Sequence, residues 1–501
     1  MLTKNREDIL ICVGLVFIAG CVCMASPLNP FSGIDPGIDS SVFMTIAQGM
    51  LRGKTPYIDF FDHKGPLIYF IDAAGLALGG FTGVYLIELF FMCVSIIFAY
   101  KTARFFGGKL AAFFGTGLSF CILCSLFKGN YTEEYALPFI FISLYLFVKY
   151  YFTGIELKKI QIFVTGACFG CSLLLRPNMF AVWASFCIVI FVQKMARKEY
   201  LLSFRYALFF LLGLVAVLSP VFAYLAVTQS LDECIWQYIG FNFIYTTSSS
   251  ARTSATFFNF AKYVYIFINK SSVIPLIVSL VLLFRKPAGM KTGFCIAYAL
   301  AIVLSLFFTA MSRRNYIRYC MVLIPLFVPA FTICMSCLFR LFSSAKHVYV
   351  KYGVPVLVMC VFLNPQMVGM AKSVYSVIHS NTKSRLQQIG EFIYANTKDD
   401  DAITVFGNMS VLYLYSGRES ASKYIYQFPL ITYRTEILDE YIYDLKRTKP
   451  ALIIVTRYVA RLQECCPSLY SMLENEYTEC FNTPEGEKYP IVIFKRKQTE
   501  L

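Results

Sequence analysis

Residues 37–70 read GIDSSVFMTIAQGMLRGKTPYIDFFDHKGPLIYF, and they set Asp39, Asp59, Asp62, His63 and Lys64 directly after the first hydrophobic run. A carboxylate placed this way can take the proton of an attacking hydroxyl as general base. A lysine beside it can hold an anion through a charge-assisted contact. Other charges are unusual for where they stand. Asp72, Glu88 and Arg176 lie within or beside apolar segments, and GNYTEEYALP (129–138) adds Glu133 and Glu134. Burying such a charge at a bilayer centre costs about 2.5–3.5 kcal/mol or more. Together they suggest a polar cavity opening on one side of a membrane.

The elements that must position these residues follow from composition. The chain has 501 residues, 57% hydrophobic and only 15% charged. Soluble domains average about 25% charged residues, so this is a membrane protein. The formal net charge of +15 sits mainly in short loops between apolar runs, as the positive-inside rule requires. No basic patch with interleaved aromatics points to nucleic acid. Most of the 18 cysteines, Cys21, Cys23, Cys121, Cys124, Cys168 and Cys171 among them, fall inside apolar runs and serve there as small packing residues. His63, His347 and His379 are far apart, and no zinc spacing is visible.

Apolar stretches near 9–27, 83–103, 108–127, 135–152, 160–177, 179–193, 203–228, 272–285, 292–311, 317–338 and 348–370 predict about eleven membrane-spanning helices. The loops 101–109, 149–159, 193–205 and 285–291 are basic, which predicts a cytoplasmic N-terminus and an external C-terminal portion. The loop SRRNYIRY (312–319) is basic yet external on this count, so Arg313, Arg314 and Arg318 are candidate anion ligands. The first run exceeds the usual hydrophobic region of a signal peptide and has no A-x-A-like site, so it reads as an uncleaved anchor.

After about residue 372 the pattern changes. AITVFG (402–407), ALIIVT (451–456) and YPIVIF (489–494) predict strands, and 385–397 and 437–448 predict helices. The expected division is a membrane domain over 1–371, whose external loop 28–82 carries the site, and an extracytoplasmic α/β domain over 372–501. That domain has no Gly-rich phosphate loop or nucleophile elbow and reads as a lid or docking element. GMLRGKT (49–55) only imitates a phosphate loop, since it has three residues rather than four between its glycines and no strand before it.

After Asp39, the apolar residues Phe43, Ile46, Met50 and Leu51 fit one face of an amphipathic helix on the outer membrane surface. The order D-x-x-x-F-x-x-I-x-x-x-M-L at 39–51 and H-K-G-P-L at 63–67 resembles the GT-C fold glycosyltransferases. The nearest group is the bacterial members akin to protein O-mannosyltransferases and the lipid A aminoarabinose transferase. The resemblance implies a GT-C fold and inverting transfer of a sugar from a polyprenyl-phosphate donor to an acceptor hydroxyl on a glycan, lipid or protein. It implies Asp39 as general base, with Lys64 and an arginine from 313, 314 or 318 on the leaving phosphate. Many relatives have Asp-Glu where this chain has Asp39-Ser40, and Glu-Lys-Pro where it has His63-Lys64-Gly65-Pro66. A second acidic role falls to Asp35, Asp62 or Glu133, and Asp62, His63, Glu88 and Arg176 join the substrate-binding candidates. No cofactor is expected, and the sequence leaves a divalent cation open.

Each candidate has a plainer role. Asp39 suits a helix cap, Lys64 an interfacial anchor, the three arginines lipid headgroups, Glu88 with Arg176 a buried pair, and Glu133 and Glu134 solvated turn positions. A transporter or flippase of a lipid-linked or anionic substrate is the competing function class. Transporters show internal repeats and broken helices at the midplane; this chain shows no repeat, and its charges gather at one mouth.

Overall fold

The computed structural model describes residues 2–127, 129–247, 277, 291–311, 317–362, 364–380, 383–456, 461–484 and 490–497. The chain forms two compact units. One comprises Met1–Ser32, Tyr85–Ala223 and Ser249–His379; the other comprises Gly33–Val84, Tyr224–Ser248 and Ser380–Leu501.

The first unit is helical and apolar. Across the described residues six helices are long and apolar enough to cross a membrane: Leu67–Ala103, Lys109–Leu126, Thr132–Thr153, Tyr200–Val227, Thr292–Thr309 and Arg318–Leu341. Lys159–Leu175 and Ala181–Ala196 are apolar but shorter. The expected span at 272–285 lies outside the described residues. Small residues set the helix spacing. A Cβ on Gly166 would stand 1.9 Å from the Phe210 carbonyl oxygen, and one on Gly213 the same distance from that of Phe163. Lys159–Leu175 and Tyr200–Val227 therefore pack backbone against backbone, as small residues allow in membranes.

The expected span at 83–103 is present, and the short apolar stretch before it forms a helix of its own from Leu67, separated from the span by a kink at Gly79 and Gly80, where Gly80 has φ 61°. Glycine takes that left-handed conformation without a Cβ clash. The stretch 348–370 is broken into a π-helical turn Tyr349–Gly353, a helix Val354–Phe362 and a helix Asn364–Ile378.

In the second unit, a four-stranded sheet is made by β1 (Ile403–Phe406), β2 (Leu452–Thr456), β3 (Tyr477–Asn482) and β4 (Ile491–Arg496), in the order β1-β2-β4-β3. β1 and β2 are parallel, and the other pairs are antiparallel. The predicted strands and the helices Arg385–Ala395 and Glu436–Thr448 are present. β3 was not predicted. Its sequence YTECFN is polar and largely exposed, so it lacks the apolar alternation by which strands are read.

The helix after Asp39 runs from Ile38 to Leu51, but it is not a half-buried surface helix. Ser40 to Ala47 and Gly49 are all buried. It packs against the helix Val411–Ser416, and the Thr45 hydroxyl donates to the Ser410 carbonyl at 3.3 Å. Ser40, Ser41, Ala47 and Gly49 are small enough to admit neighbours on faces that periodicity alone leaves polar.

Candidate active site

The HKG stretch of the second unit is held from three directions. Phe61 donates its N–H to the Lys423 carbonyl at 2.8 Å. Asp62 donates its N–H to Gln237 Oε1 at 3.1 Å, and Gln237 Nε2 donates to the Tyr57 carbonyl at 2.7 Å. Asn242 Nδ2 donates to the His63 carbonyl at 2.6 Å, and Tyr57 Oη to the Lys64 carbonyl at 2.8 Å. Gln237 lies in a π-helical turn, Trp236–Gly240, an irregularity frequent at functional sites.

Asp62 is 2% exposed. It accepts hydrogen bonds from Tyr69 Oη, Tyr426 Oη and the His63 N–H, each at 2.8 Å. Burial pushes its carboxyl above the usual range, against the opposing pull of the Lys64 charge and the two hydroxyls. Lys64 Nζ stands 3.0 Å from His63 Nε2. An ammonium only donates, so Nε2 accepts, and the imidazole proton sits on Nδ1, which faces Tyr426 Oη at 3.2 Å and Asp62 Oδ1 at 3.5 Å. Asp62, His63 and Lys64 thus form one chain of polar contacts ending in a cation.

Tyr426→Phe removes one donor from a buried carboxylate. A hydrogen bond to a charged group is worth about 1.5–3 kcal/mol, so this variant is expected to melt earlier while Tyr443→Phe, at an exposed position outside this network, melts as wild type. Differential scanning fluorimetry of the detergent-solubilised chain checks the difference.

Asp35 and Asp39 differ in their surroundings. Asp35 accepts hydrogen bonds from Ser384 Oγ and, at 2.9 Å, from Tyr415 Oη, which ties the chain before Ile38 to the Arg385–Ala395 and Val411–Ser416 helices. Asp39 is half-buried in the first helical turn, and it is not the cap: Gly37 holds that position and offers no side chain. A carboxylate in a first turn still gains about 0.3–1 kcal/mol from the helix dipole.

The remaining candidates belong to the membrane unit. Glu133 Oε1 accepts from Arg176 Nη1 and lies 3.7 Å from Arg318 Nε. Arg176 stacks on the Tyr319 ring at 3.9 Å and Arg318 on the Tyr131 ring at 4.5 Å. Both guanidinium groups stand against this one carboxylate and are held in place by the ring faces. Glu88 is not the partner of Arg176; its Oε1 accepts the Asn130 N–H at 2.7 Å. Glu134 closes a capping box on the Tyr131 N–H at 3.2 Å and accepts from Gly129 N–H at 3.3 Å. Glu133 and Glu134 are 2% and 5% exposed, so neither is a solvated turn residue. Arg313 and Arg314 lie outside the described residues, and among the described residues no group of three metal-ligating side chains is found.

The family profile of the competence-induced protein Ccs4 N-terminal domain matches residues 5–366. The chain belongs to that family. No curated protein matches it by sequence. Among solved structures it is similar to ArnT from Cupriavidus metallidurans bound to undecaprenyl phosphate, with a TM-score of 0.66 and 14% identity over 97% of this chain and 98% of that one. The same protein in the apo state gives 0.63 at 13% identity, over 98% of each chain. The archaeal oligosaccharyltransferase AglB from Archaeoglobus fulgidus, in complex with an inhibitory peptide and a dolichol-phosphate, gives 0.51 at 11% over 99% and 75%. This Ccs4-family chain therefore has the GT-C fold, as the resemblance of residues 39–67 implied.

Residues the sequence did not single out complete the loop cluster in this family member: Tyr57, Tyr69, Gln237, Asn242 and Tyr426. Tyr57 and Tyr69 flank HKG in the same stretch, and an HKG-centred search for hydroxyls would have found them. Gln237 and Asn242, in WQYIGFN, stand where a polar side chain interrupts an aromatic run. Tyr426 carries no comparable signal among the many tyrosines of the chain.

Proposed function

We propose that the protein is an inverting glycosyltransferase that moves a sugar from a polyprenyl-phosphate carrier to an acceptor hydroxyl at the outer face of the cytoplasmic membrane. The observation that carries this reading is the full-length likeness to a fold whose solved member ArnT is bound to undecaprenyl phosphate. The chemistry of the first loop supports it. Lys64, aligned by His63 and through it by Asp62, supplies a fixed cation for the leaving phosphate, and such preorganised charge acts on the transition state without reorganisation. Asp39 serves as general base. That role is the one the order of residues 39–51 implies, and the half-buried Asp39 stands in the first turn of the Ile38–Leu51 helix. Attack on the face opposite the phosphate inverts the anomeric centre. In the membrane unit, Arg176 and Arg318 provide an anion contact of their own.

The test is donor consumption by the detergent-purified chain, followed with radiolabelled polyprenyl-phosphate sugars. Free polyprenyl phosphate is expected to appear without any ion gradient. Vectorial movement of the intact lipid-linked sugar in vesicles, with no cleavage, would replace the transferase by a flippase. Topology offers a second check. Reporter fusions after residues 60, 150 and 400 are expected to read outside, inside and outside; a cytoplasmic signal at 400 would remove the loop and the α/β elements from the side where the reaction is placed.

A further inference from the structure

Within the membrane unit a cleft of about 530 Å³ opens where the Lys159–Leu175 and Tyr200–Val227 helices begin. Its charged lining is Lys159, Lys198, Glu199 and Arg205. The acidic charges here are taken. Buried Lys194 holds Glu156 at 2.9 Å and Glu199 at 3.4 Å, and Tyr206 Oη donates to Glu156 Oε2 at 2.6 Å. The cations of the lining are not. Lys159 lies over the Phe209 ring at 5.4 Å, and among the described residues neither it nor Lys198 stands in an ion pair. Arg205 Nη2 donates to the Leu157 carbonyl at 3.2 Å, while its Nε has no hydrogen-bond partner among the described residues. Even with Lys194 and Glu156 included, four cations face two carboxylates. The floor is apolar. Leu201, Phe204 and Leu208 line the cleft and are exposed, three or four residues apart on one face of their helix. The same face continues through the exposed Leu211 and Val215. Since Tyr200–Val227 is long and apolar enough to cross a membrane, this stripe runs from the basic cleft into the bilayer.

We infer that this cleft seats one anionic phospholipid, its phosphate against Lys159, Lys198 and Arg205 and an acyl chain along Leu201, Phe204 and Leu208. Charge and apolar surface meet here as they do in such a lipid. A zwitterionic headgroup brings a cation of its own and gains little from the surplus positive charge, and a free anion makes no use of the stripe. Basic pockets between membrane helices suit acidic headgroups for this reason. The loops that form the rim, 149–159 and 193–205, are among those whose lysines and arginines predict the cytoplasmic side, where the leaflet surface is negative. The site makes no use of the Asp62–His63–Lys64 chain and stands whether or not the transferase reading does.

The test uses the full chain, delipidated in detergent and titrated with dioleoylphosphatidylglycerol or dioleoylphosphatidylcholine, with bound lipid per chain read by native mass spectrometry. The anionic lipid is expected to half-saturate its site at a concentration at least about tenfold lower than the zwitterionic one, and glycerol 3-phosphate, which has the headgroup charge without the chains, should not displace it. A lysine near an anionic lipid surface is worth roughly a factor of five in affinity, so Lys159→Gln combined with Lys198→Gln should weaken binding by at least about tenfold. Lys101→Gln combined with Arg104→Gln, exposed in a different basic loop, should not. A second measurement needs no variant. Phosphatidylglycerol carrying a diazirine on its acyl chain is expected to label wild-type residues within 200–215 on irradiation, as read by peptide mass spectrometry. Equal binding of the two lipids, displacement by glycerol 3-phosphate, the same behaviour of both variant pairs, or labelling that spares 200–215 would overturn the inference.

Discussion

Asp39→Asn is expected to fold and to be nearly inactive. General-base catalysis contributes about 10²–10⁴-fold, and an amide cannot take the acceptor's proton, so turnover of the polyprenyl-phosphate sugar should fall by that factor. The structural cost is small. Asp39 does not cap the Ile38–Leu51 helix; Gly37 does, and asparagine has the same shape as aspartate and keeps an accepting oxygen, while the lost helix-dipole contact is worth about 0.3–1 kcal/mol. Melting temperature and donor binding should therefore stay near wild type while kcat collapses. Wild-type turnover would return the base to Asp35, which can be tested in turn, although its hydrogen bonds to Ser384 and Tyr415 make Asp35→Asn a variant that loses stability as well.

The second large effect is at Lys64. Lys64→Met keeps most of the unbranched side chain and removes its charge, so donor kcat/KM should drop by about 10²–10³-fold, the usual loss when a preorganised group on a developing anion is deleted. Lys64→Arg should restore part of it. His63→Ala should fall between the two, because it leaves the ammonium in place but takes away the imidazole that aligns it at 3.0 Å. If Lys64→Met uses donor at the wild-type rate, the phosphate is held elsewhere, and Arg176 and Arg318 become the residues to replace.

Much of this was legible from residue order because the signals were local. Membrane helices announce themselves by long apolar runs, and Lys109–Leu126 or Thr132–Thr153 begin and end within a few residues of where hydropathy put them. DFFDHKG was recognisable because its charges are adjacent in sequence and out of place beside a bilayer. What stayed hidden depends on packing. The Ile38–Leu51 helix is buried on faces that its own pattern marks as polar, and only the neighbouring Val411–Ser416 helix explains why. Arg176 found Glu133 rather than Glu88, a choice made by helix positions and not by spacing. The strand Tyr477–Asn482 was missed since an exposed edge needs no apolar alternation.

The hydroxyl of Tyr426 on Asp62 joins residues 364 positions apart. Ribosomes add roughly 5–20 residues per second, so the loop around Asp62 emerges tens of seconds before the tyrosine that completes it exists. During that interval the loop has its carboxylate, imidazole and ammonium but lacks a donor that fixes them. If the transferase reading holds, a nascent or prematurely terminated chain is thus inserted without being armed, and lipid-linked donor meets a complete site only after nearly the whole polypeptide has been made.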